Sequence, residues 1–179
     1  GAAEFARVTE LNLRGEAIDD AGVAWIADPA TGLTALATLN IQETKVTDAG
    51  VVLIDTPWDA TQIEPLLETI RTRHQKEVIM SISTHFHADR TAGLNWLRKQ
   101  GIATWSSKQT LALCRERDEE QAEFYFEKDT LFQIGQYRFQ TIYPGGGHTK
   151  DNIVVWFDQE KVLYGGCFIK STESEGLGN

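Results

Sequence analysis

Cysteine is scarce in this sequence. Only Cys114 and Cys167 occur among the 179 residues, and two cysteines do not make the disulfide framework of a small secreted domain. The redox compartment therefore cannot be read from them. Each thiol has to be interpreted separately, as a buried apolar group or as a ligand.

Long apolar runs and an excess of positive charge are also missing. The longest clean run, Gly50–Ile54, suits a strand and is far shorter than the roughly 20 residues that cross a bilayer. The first five residues lack the basic and apolar regions of a signal peptide. Lys and Arg total 17 against 26 Asp and Glu, a net charge of −9. Because like charges repel, we expect neither nucleic acid nor a membrane as a partner.

The composition indicates one globular domain over residues 1–179. Hydrophobic residues make up 41% and charged residues 24% of the chain, which is typical of a folded domain. Residues 1–46 suggest only short strands and turns, whereas beyond them strand–helix units come first and antiparallel hairpins follow. This order predicts an α/β fold with helices outside the sheet layers. The expected strands are 50–56, 77–83, 103–105, 124–126, 130–134, 137–143, 152–157 and 161–164.

Three helices are expected between these strands. One begins near Ile63, and Thr61 with Glu64 has the spacing of a capping box at its start. The other two cover residues 92–100, before a glycine that can end a helix, and residues 107–117.

Two histidines directly follow the predicted strand 77–83, in the sequence Thr-His85-Phe-His87-Ala-Asp89. In an extended backbone, residues i and i+2 point to the same side. The two imidazoles could therefore share one ion, and Asp89 continues the spacing toward a second ion. The alternative is chance, because a lone histidine is usually solvated or hydrogen-bonded. We interpret His74, at the exposed end of a helix, in that way.

Two further segments bring glycines next to a possible ligand. His148 follows three glycines, which permit a sharp turn and a close approach of the backbone. The alternative is a β-turn that ends in histidine. Cys167 follows a strand and two glycines, and a thiolate ligand is favoured there over a buried structural cysteine. Cys114, on an apolar helix face, is interpreted as the buried kind. Three histidines with an open fourth position make a catalytic zinc arrangement.

Taken together, these segments resemble a class B metallo-β-lactamase of the di-zinc subclass, whose second site is Asp-Cys-His. Residues 47–179 form the matched region, and residues 1–46 match poorly. The His-x-His-x-Asp element alone marks only the wider superfamily, but the whole set is specific. The matching stretches are LIDTPW at 53–58, STHFHADRTAG at 83–93, PGGGHTKDN at 144–152, GGCFIK at 165–170 and GLGN at 176–179.

The resemblance implies an αβ/βα sandwich, in which two β-sheets carry helices on their outer faces. It also implies two zinc ions. The ligands that it implies are His85, His87 and His148 for the first ion, and Asp89 and Cys167 for the second.

Other residues receive roles from the resemblance alone. Lys170 matches the lysine that binds the substrate carboxylate, and Asn179 matches the asparagine that helps to polarise the lactam carbonyl. Asp55 and Arg90 match positions that hold the metal ligands in place. Asp89 would orient the attacking hydroxide as well as bind zinc.

The implied activity is hydrolysis of the β-lactam amide bond by a zinc-bound hydroxide, which confers resistance to β-lactam antibiotics. A small-molecule β-lactam is the expected partner, and no serine nucleophile is needed. By the same resemblance, the expected location is the bacterial periplasm or the outside of the cell.

Two alternatives stay open. One is another hydrolase of the superfamily, such as a glyoxalase II-like thioesterase, which is disfavoured because Arg90 and Cys167 replace its histidine and bridging aspartate. The other is an inactive zinc-binding fragment. The cysteine site should have a third ligand, a histidine, yet no histidine follows His148. We therefore expect the C-terminal elements of the fold to lie in a longer protein. The alternatives are a second chain, cleaved or swapped, and a natural truncation with a weakened second site.

Overall fold

Two β-sheets form the framework of the computed structural model, which describes residues 10–12, 38–40, 50–135 and 137–170. The described strands are β1 (Glu10–Asn12), β2 (Thr38–Asn40), β3 (Gly50–Ile54), β4 (Glu77–Ser83), β5 (Ala103–Ser107), β6 (Phe124–Phe126), β7 (Thr130–Ile134), β8 (Tyr137–Ile142), β9 (Val154–Phe157) and β10 (Val162–Tyr164). One sheet has the order β1-β2-β7-β8-β9-β10, and the other has the order β3-β4-β5-β6.

The strand predictions from residue 50 onward are confirmed to within a few residues. Strands β3 to β6 pair in parallel, and β7 to β10 pair as antiparallel neighbours, as the order of strand–helix units and hairpins indicated. Strand β3 was expected to be buried, but it lies at an edge of its sheet and its residues are only half-buried. Strands β1 and β2 confirm that short strands occur in residues 1–46, whereas the turns expected there lie outside the described residues.

The described helices are α1 (Ile63–His74), α2 (Ala88–Thr91), α3 (Leu94–Lys99) and α4 (Lys108–Arg117). The helix expected at 92–100 is α3, which begins two residues later and ends one residue earlier, and sequence reasoning missed α2 before it. The capping-box prediction is wrong. The Asp59 carboxylate instead accepts a hydrogen bond from the Thr61 amide at 2.8 Å, which caps a 3₁₀ turn (Ala60–Gln62) directly before α1.

An aromatic core lies between the two sheets. Trp105 and Phe126 of the four-stranded sheet meet Phe132 of the six-stranded sheet, with ring centroids 5.7 and 5.9 Å apart. A second core forms where α1 and α3 pack Ile63 and Leu97 on the outer face of the four-stranded sheet. The predicted α/β sandwich is confirmed. No helix of the described segments is long and apolar enough to cross a membrane.

A bulge in β4 changes which of its residues face each core, because residues two apart in a regular strand share a face. Val51 pairs with Val78, but Val52 pairs with Met80, so Ile79 is an extra residue. Val78 therefore faces the helices, whereas Met80 faces the other sheet. The carboxyl ends of β3 and β4 lie side by side, and the chain that follows them enters the candidate site.

Candidate metal centre

Three imidazole rings converge where β4 ends. The ring centroids are 4.9 Å apart for His85 and His87, 5.1 Å for His85 and His148, and 5.0 Å for His87 and His148. The interplanar angles of 78°, 88° and 85° make the rings nearly perpendicular to one another. The structure thus brings together the three histidines that the sequence singled out.

Asp89 and Cys167 lie beside these rings. The Oδ1 atom of Asp89 is 3.7 Å from Nε2 of His85, and its Oδ2 atom is 3.8 Å from Sγ of Cys167. The extended spacing assumed for Asp89 is wrong, because the residue lies in α2. His87 is still extended, with φ −67° and ψ 151°, and the helix that starts after it turns the carboxylate back toward His85.

The distances between donor atoms fit a zinc ion. Two nitrogens that share a tetrahedral zinc are about 3.3 Å apart, and a sulfur and an oxygen about 3.6 Å. Nδ1 of His87 and Nε2 of His148 are 3.2 Å apart, and the sulfur–oxygen separation at Cys167 and Asp89 is 3.8 Å. The donor atoms lie within 4.8 Å of one another in two overlapping groups, which are His85, His87 and Asp89, and His85, His148 and Cys167. These two groups share His85. The assignment that the resemblance implied is different, because it gives all three histidines to one ion and Asp89 with Cys167 to the other.

One imidazole has a buried nitrogen that lies near the other donors without a hydrogen bond. Nε2 of His85 has no hydrogen-bond partner among the described residues, and an unpaired buried polar atom is costly. Nδ1 of His148 also has none, but the nitrogen of that ring that lies near His87 is Nε2. Burial lowers the pKa of His85 to about 3, and burial followed by the charge of His87 lowers the pKa of His148. Both rings are therefore neutral at pH 7, the form in which histidine binds a metal.

Asp55 and Arg90 brace the ligand-bearing segments. Oδ1 of Asp55 accepts from the Thr84 amide at 2.7 Å, and Oδ2 accepts from the Thr84 hydroxyl at 2.9 Å and the Tyr164 hydroxyl at 3.0 Å. Burial raises the pKa of Asp55 to about 6, although these donors and Arg90 lower it. Arg90 donates to Sγ of Cys167 at 3.0 Å. Asp55 thus contacts the residue next to His85, and Arg90 contacts Cys167 itself.

The glycines before His148 meet different needs. Gly145 has φ +109°, a conformation that side chains rarely adopt. A Cβ atom at Gly147 would lie 2.3 Å from Cε2 of Phe168, so the ring next to Cys167 packs directly on the backbone next to His148. Gly146 has ordinary space, because its nearest atom would be 3.6 Å away. Close approach thus explains Gly147 in particular.

The remaining candidates are placed as follows. Lys170 is exposed, three residues after Cys167, and its charge is close enough to contribute to the lowered pKa of His148. Asn179 lies outside the described residues. His74 is exposed at the end of α1, and Cys114 is 1% exposed on α4. His74 is therefore an exposed histidine at a helix end and Cys114 a buried cysteine, as the sequence predicted.

Sequence reasoning missed Thr84, Tyr164 and Phe168. Thr84 carries two hydrogen bonds to Asp55, and its carbonyl oxygen accepts from the Ile153 amide at 2.9 Å. The available signals were a threonine directly before the first histidine and a tyrosine at the end of the strand before Gly-Gly-Cys. Nothing in the sequence marks the contact between Phe168 and Gly147.

Known proteins resemble most of the chain. The family described as the Metallo-beta-lactamase superfamily matches residues 44–178. A protein named metallo-beta-lactamase type 2 from Elizabethkingia meningoseptica is 44% identical over 133 residues, which are 74% of this chain and 53% of the relative. One of the same name from Pseudomonas aeruginosa is 42% identical over 127 residues, 71% of this chain and 50% of the relative.

Solved structures agree with these matches. A metallo-beta-lactamase from Pontibacter korlensis superposes with a TM-score of 0.71 at 38% identity, covering 74% of this chain and 62% of that one. The chain spans about half the length of the curated relatives it matches.

Proposed function

Because the chain belongs to the metallo-beta-lactamase superfamily, we propose that its site hydrolyses the amide bond of β-lactam antibiotics and so confers resistance to them. The observation that supports this most directly is the meeting of three imidazoles, one carboxylate and one thiol at the carboxyl end of β4. This donor set suits zinc, which binds nitrogen and sulfur ligands and uses an open position for catalysis.

Within this proposal, His85, His87 and His148 hold one zinc ion, and Asp89 and Cys167 hold a second with a further ligand from the rest of the protein. Zinc in such a site lowers the pKa of a water molecule to about 7 and polarises a carbonyl group, which provides a nucleophile and an electrophile at neutral pH.

The remaining groups bind and orient the substrate. The exposed ammonium group of Lys170 attracts the carboxylate of an anionic β-lactam, and Asn179 donates a hydrogen bond to the lactam carbonyl oxygen. Asp89 accepts a hydrogen bond from the attacking water and directs it at the carbonyl carbon. Asp55 and Arg90 keep the ligands in place, the role that hydrogen-bonded residues around metal ligands have in general.

The proposal extends to the whole protein. We propose one domain, with residues 47–179 as the part common to the family, and a periplasmic or secreted location in a bacterium. The missing ligand of the cysteine site comes from a C-terminal segment of a longer protein. An intact-mass measurement on the natural protein tests this last point, since a mass near the 20.0 kDa of this chain would refute it.

Matched cysteine variants test the activity. In the full-length protein, Cys167→Ser should lose about one zinc ion per chain and at least about tenfold in kcat/KM for a penicillin, a cephalosporin or a carbapenem. Cys114→Ser is the control, because Cys114 is buried on α4 and belongs to neither ligand group. Parent-level zinc and activity in Cys167→Ser would refute the two-metal assignment. Turnover of a glutathione thioester without turnover of any β-lactam would refute the substrate class.

A further inference from the structure

Tyr164 links the two sheets at the rim of the metal centre. It is the last residue of β10, the edge strand of the six-stranded sheet. Its hydroxyl donates to Oδ2 of Asp55 at 3.0 Å, and Asp55 follows β3 of the other sheet. The ring is half-buried, and burial followed by the charge of Asp55 raises the pKa of Tyr164 to about 12. The phenol therefore stays protonated and remains a hydrogen-bond donor at neutral pH.

Besides this bond, the end of β10 is held by its pairing with β9 and by the packing of Tyr164 against the core. Among the described strands, β10 pairs with β9 alone, and Val162 and Leu163 are 52% and 47% exposed. Two glycines separate Tyr164 from Cys167, and Gly166 has φ +51°. Because glycine restrains the backbone weakly, the position of Cys167 depends on where the strand before it is held.

The bond made by Tyr164 reaches the other ligands through Asp55. The same carboxylate accepts from the amide and hydroxyl of Thr84, and Thr84 is joined by one peptide bond to His85. A Cβ atom at Gly166 would lie 3.2 Å from the Thr84 hydroxyl oxygen and 3.8 Å from Oδ2 of Asp55. The loop that carries Cys167 thus packs directly on Thr84 and Asp55, the two hydrogen-bonded residues next to His85.

We propose that Tyr164 is a positioning residue for the cysteine ligand, whose hydroxyl, by donating to Asp55, sets the place of Cys167 relative to His85 and Asp89. This inference rests on the metal centre proposed above. Arg90 holds the sulfur atom itself, at 3.0 Å, whereas Tyr164 holds the backbone that carries it. The two restraints act on different parts of the cysteine segment, although both reach Oδ2 of Asp55, so loss of one should loosen the cysteine site without dismantling it.

Tyr164→Phe removes the hydroxyl and keeps the ring. Oδ2 of Asp55 still accepts from Thr84 and faces Arg90 at 3.5 Å, so no buried carboxylate is left unpaired and the variant should fold. The matched control is Tyr137→Phe, since Tyr137 is 60% exposed on β8. Both variants should be made in the full-length protein and stripped of metal before titration.

Cobalt(II) distinguishes the two metal equivalents, because only the ion bound to a thiolate gives a sulfur-to-cobalt charge-transfer absorption. In Tyr164→Phe, the affinity of the equivalent that produces this absorption should fall about tenfold or more. The other equivalent should change less than about twofold, and Tyr137→Phe should match the parent. Competition with a chelator measures both affinities, and thermal unfolding of the metal-free protein records any general loss of stability.

The possible results separate this inference from the proposed function. If both equivalents weaken by the same factor, or if the thiolate absorption and its affinity are unchanged, Tyr164 does not position the cysteine and the inference is refuted. If the parent binds cobalt without any thiolate absorption, Cys167 is not a ligand, and the metal assignment fails together with the inference.

Discussion

The contact between Gly147 and Phe168 makes a sharp prediction about the site. In Gly147→Ala, the new methyl group would lie 2.3 Å from Cε2 and 2.5 Å from Cδ2 of the Phe168 ring, whereas carbon atoms in contact are about 3.5 Å apart. The ring or the glycine loop must therefore move by about 1 Å. Overpacking of this kind costs about 1–3 kcal/mol. Because His148 adjoins one side of the contact and Cys167 the other, zinc affinity should fall about tenfold as well.

Gly146→Ala is the matched control, since its new methyl group would meet nothing closer than 3.6 Å. Urea unfolding of the metal-free proteins measures the free energy of unfolding, and chelator competition measures zinc affinity. A double-mutant cycle with Phe168→Ala then identifies the cause. Without the ring, Gly147→Ala should cost less than about 0.5 kcal/mol. The reasoning is refuted if Gly147→Ala is as mild as Gly146→Ala, or if it costs the same with and without the ring.

Two further predictions concern buried ionisable groups. Burial raises the pKa of Asp55 from 3.8 to about 6, so protonation favours the folded state. This contribution is complete below pH 4 and is lost as pH rises through 6, which is worth about 3 kcal/mol. In urea unfolding of the metal-free proteins, the parent should lose about 2 kcal/mol of this relative to Asp55→Asn between pH 4 and 7, and parallel pH profiles would contradict it. Burial, followed by the charge of Asp151, raises the pKa of Cys114 to about 12. At pH 8 a thiol reagent should therefore label Cys167 once metal is removed and reach Cys114 only on unfolding, and mass spectrometry of the labelled peptides would expose any early reaction of Cys114.

The sequence predicted best what depends on local pattern. Continuous apolar runs located the strands, and His85 and His87 stood out because two imidazoles two residues apart directly follow one of them. The position of Asp89 was predicted for the wrong reason, because α2 is four residues long and has no apolar periodicity to reveal it. The extra residue at Ile79 is equally invisible, since only the pairing of β3 with β4 defines a bulge.

Long-range contacts account for the rest of what was missed. Tyr164 and Asp55 are 109 positions apart, and Arg90 and Cys167 are 77 positions apart, so no local period connects them. Their meeting depends on how the two sheets pack across the aromatic core. A single sequence can show that each residue follows a strand, but it cannot show which strand ends lie together.

The charge balance at the centre argues for a cation in a way that the net charge of −9 does not. Nη2 of Arg90 lies 3.0 Å from Sγ of Cys167 and 3.4 Å from Oδ2 of Asp89, and its Nε lies 3.5 Å from Oδ2 of Asp55. One guanidinium thus faces two carboxylates and a thiol, while the pKa values of His85 and His148 are lowered and their rings add no charge. Partly buried negative charge is costly unless it is paired. A divalent cation among the rings would provide the positive charge that one arginine is too few to provide. Lysine could not replace Arg90, because its compact charge cannot reach three groups from one position.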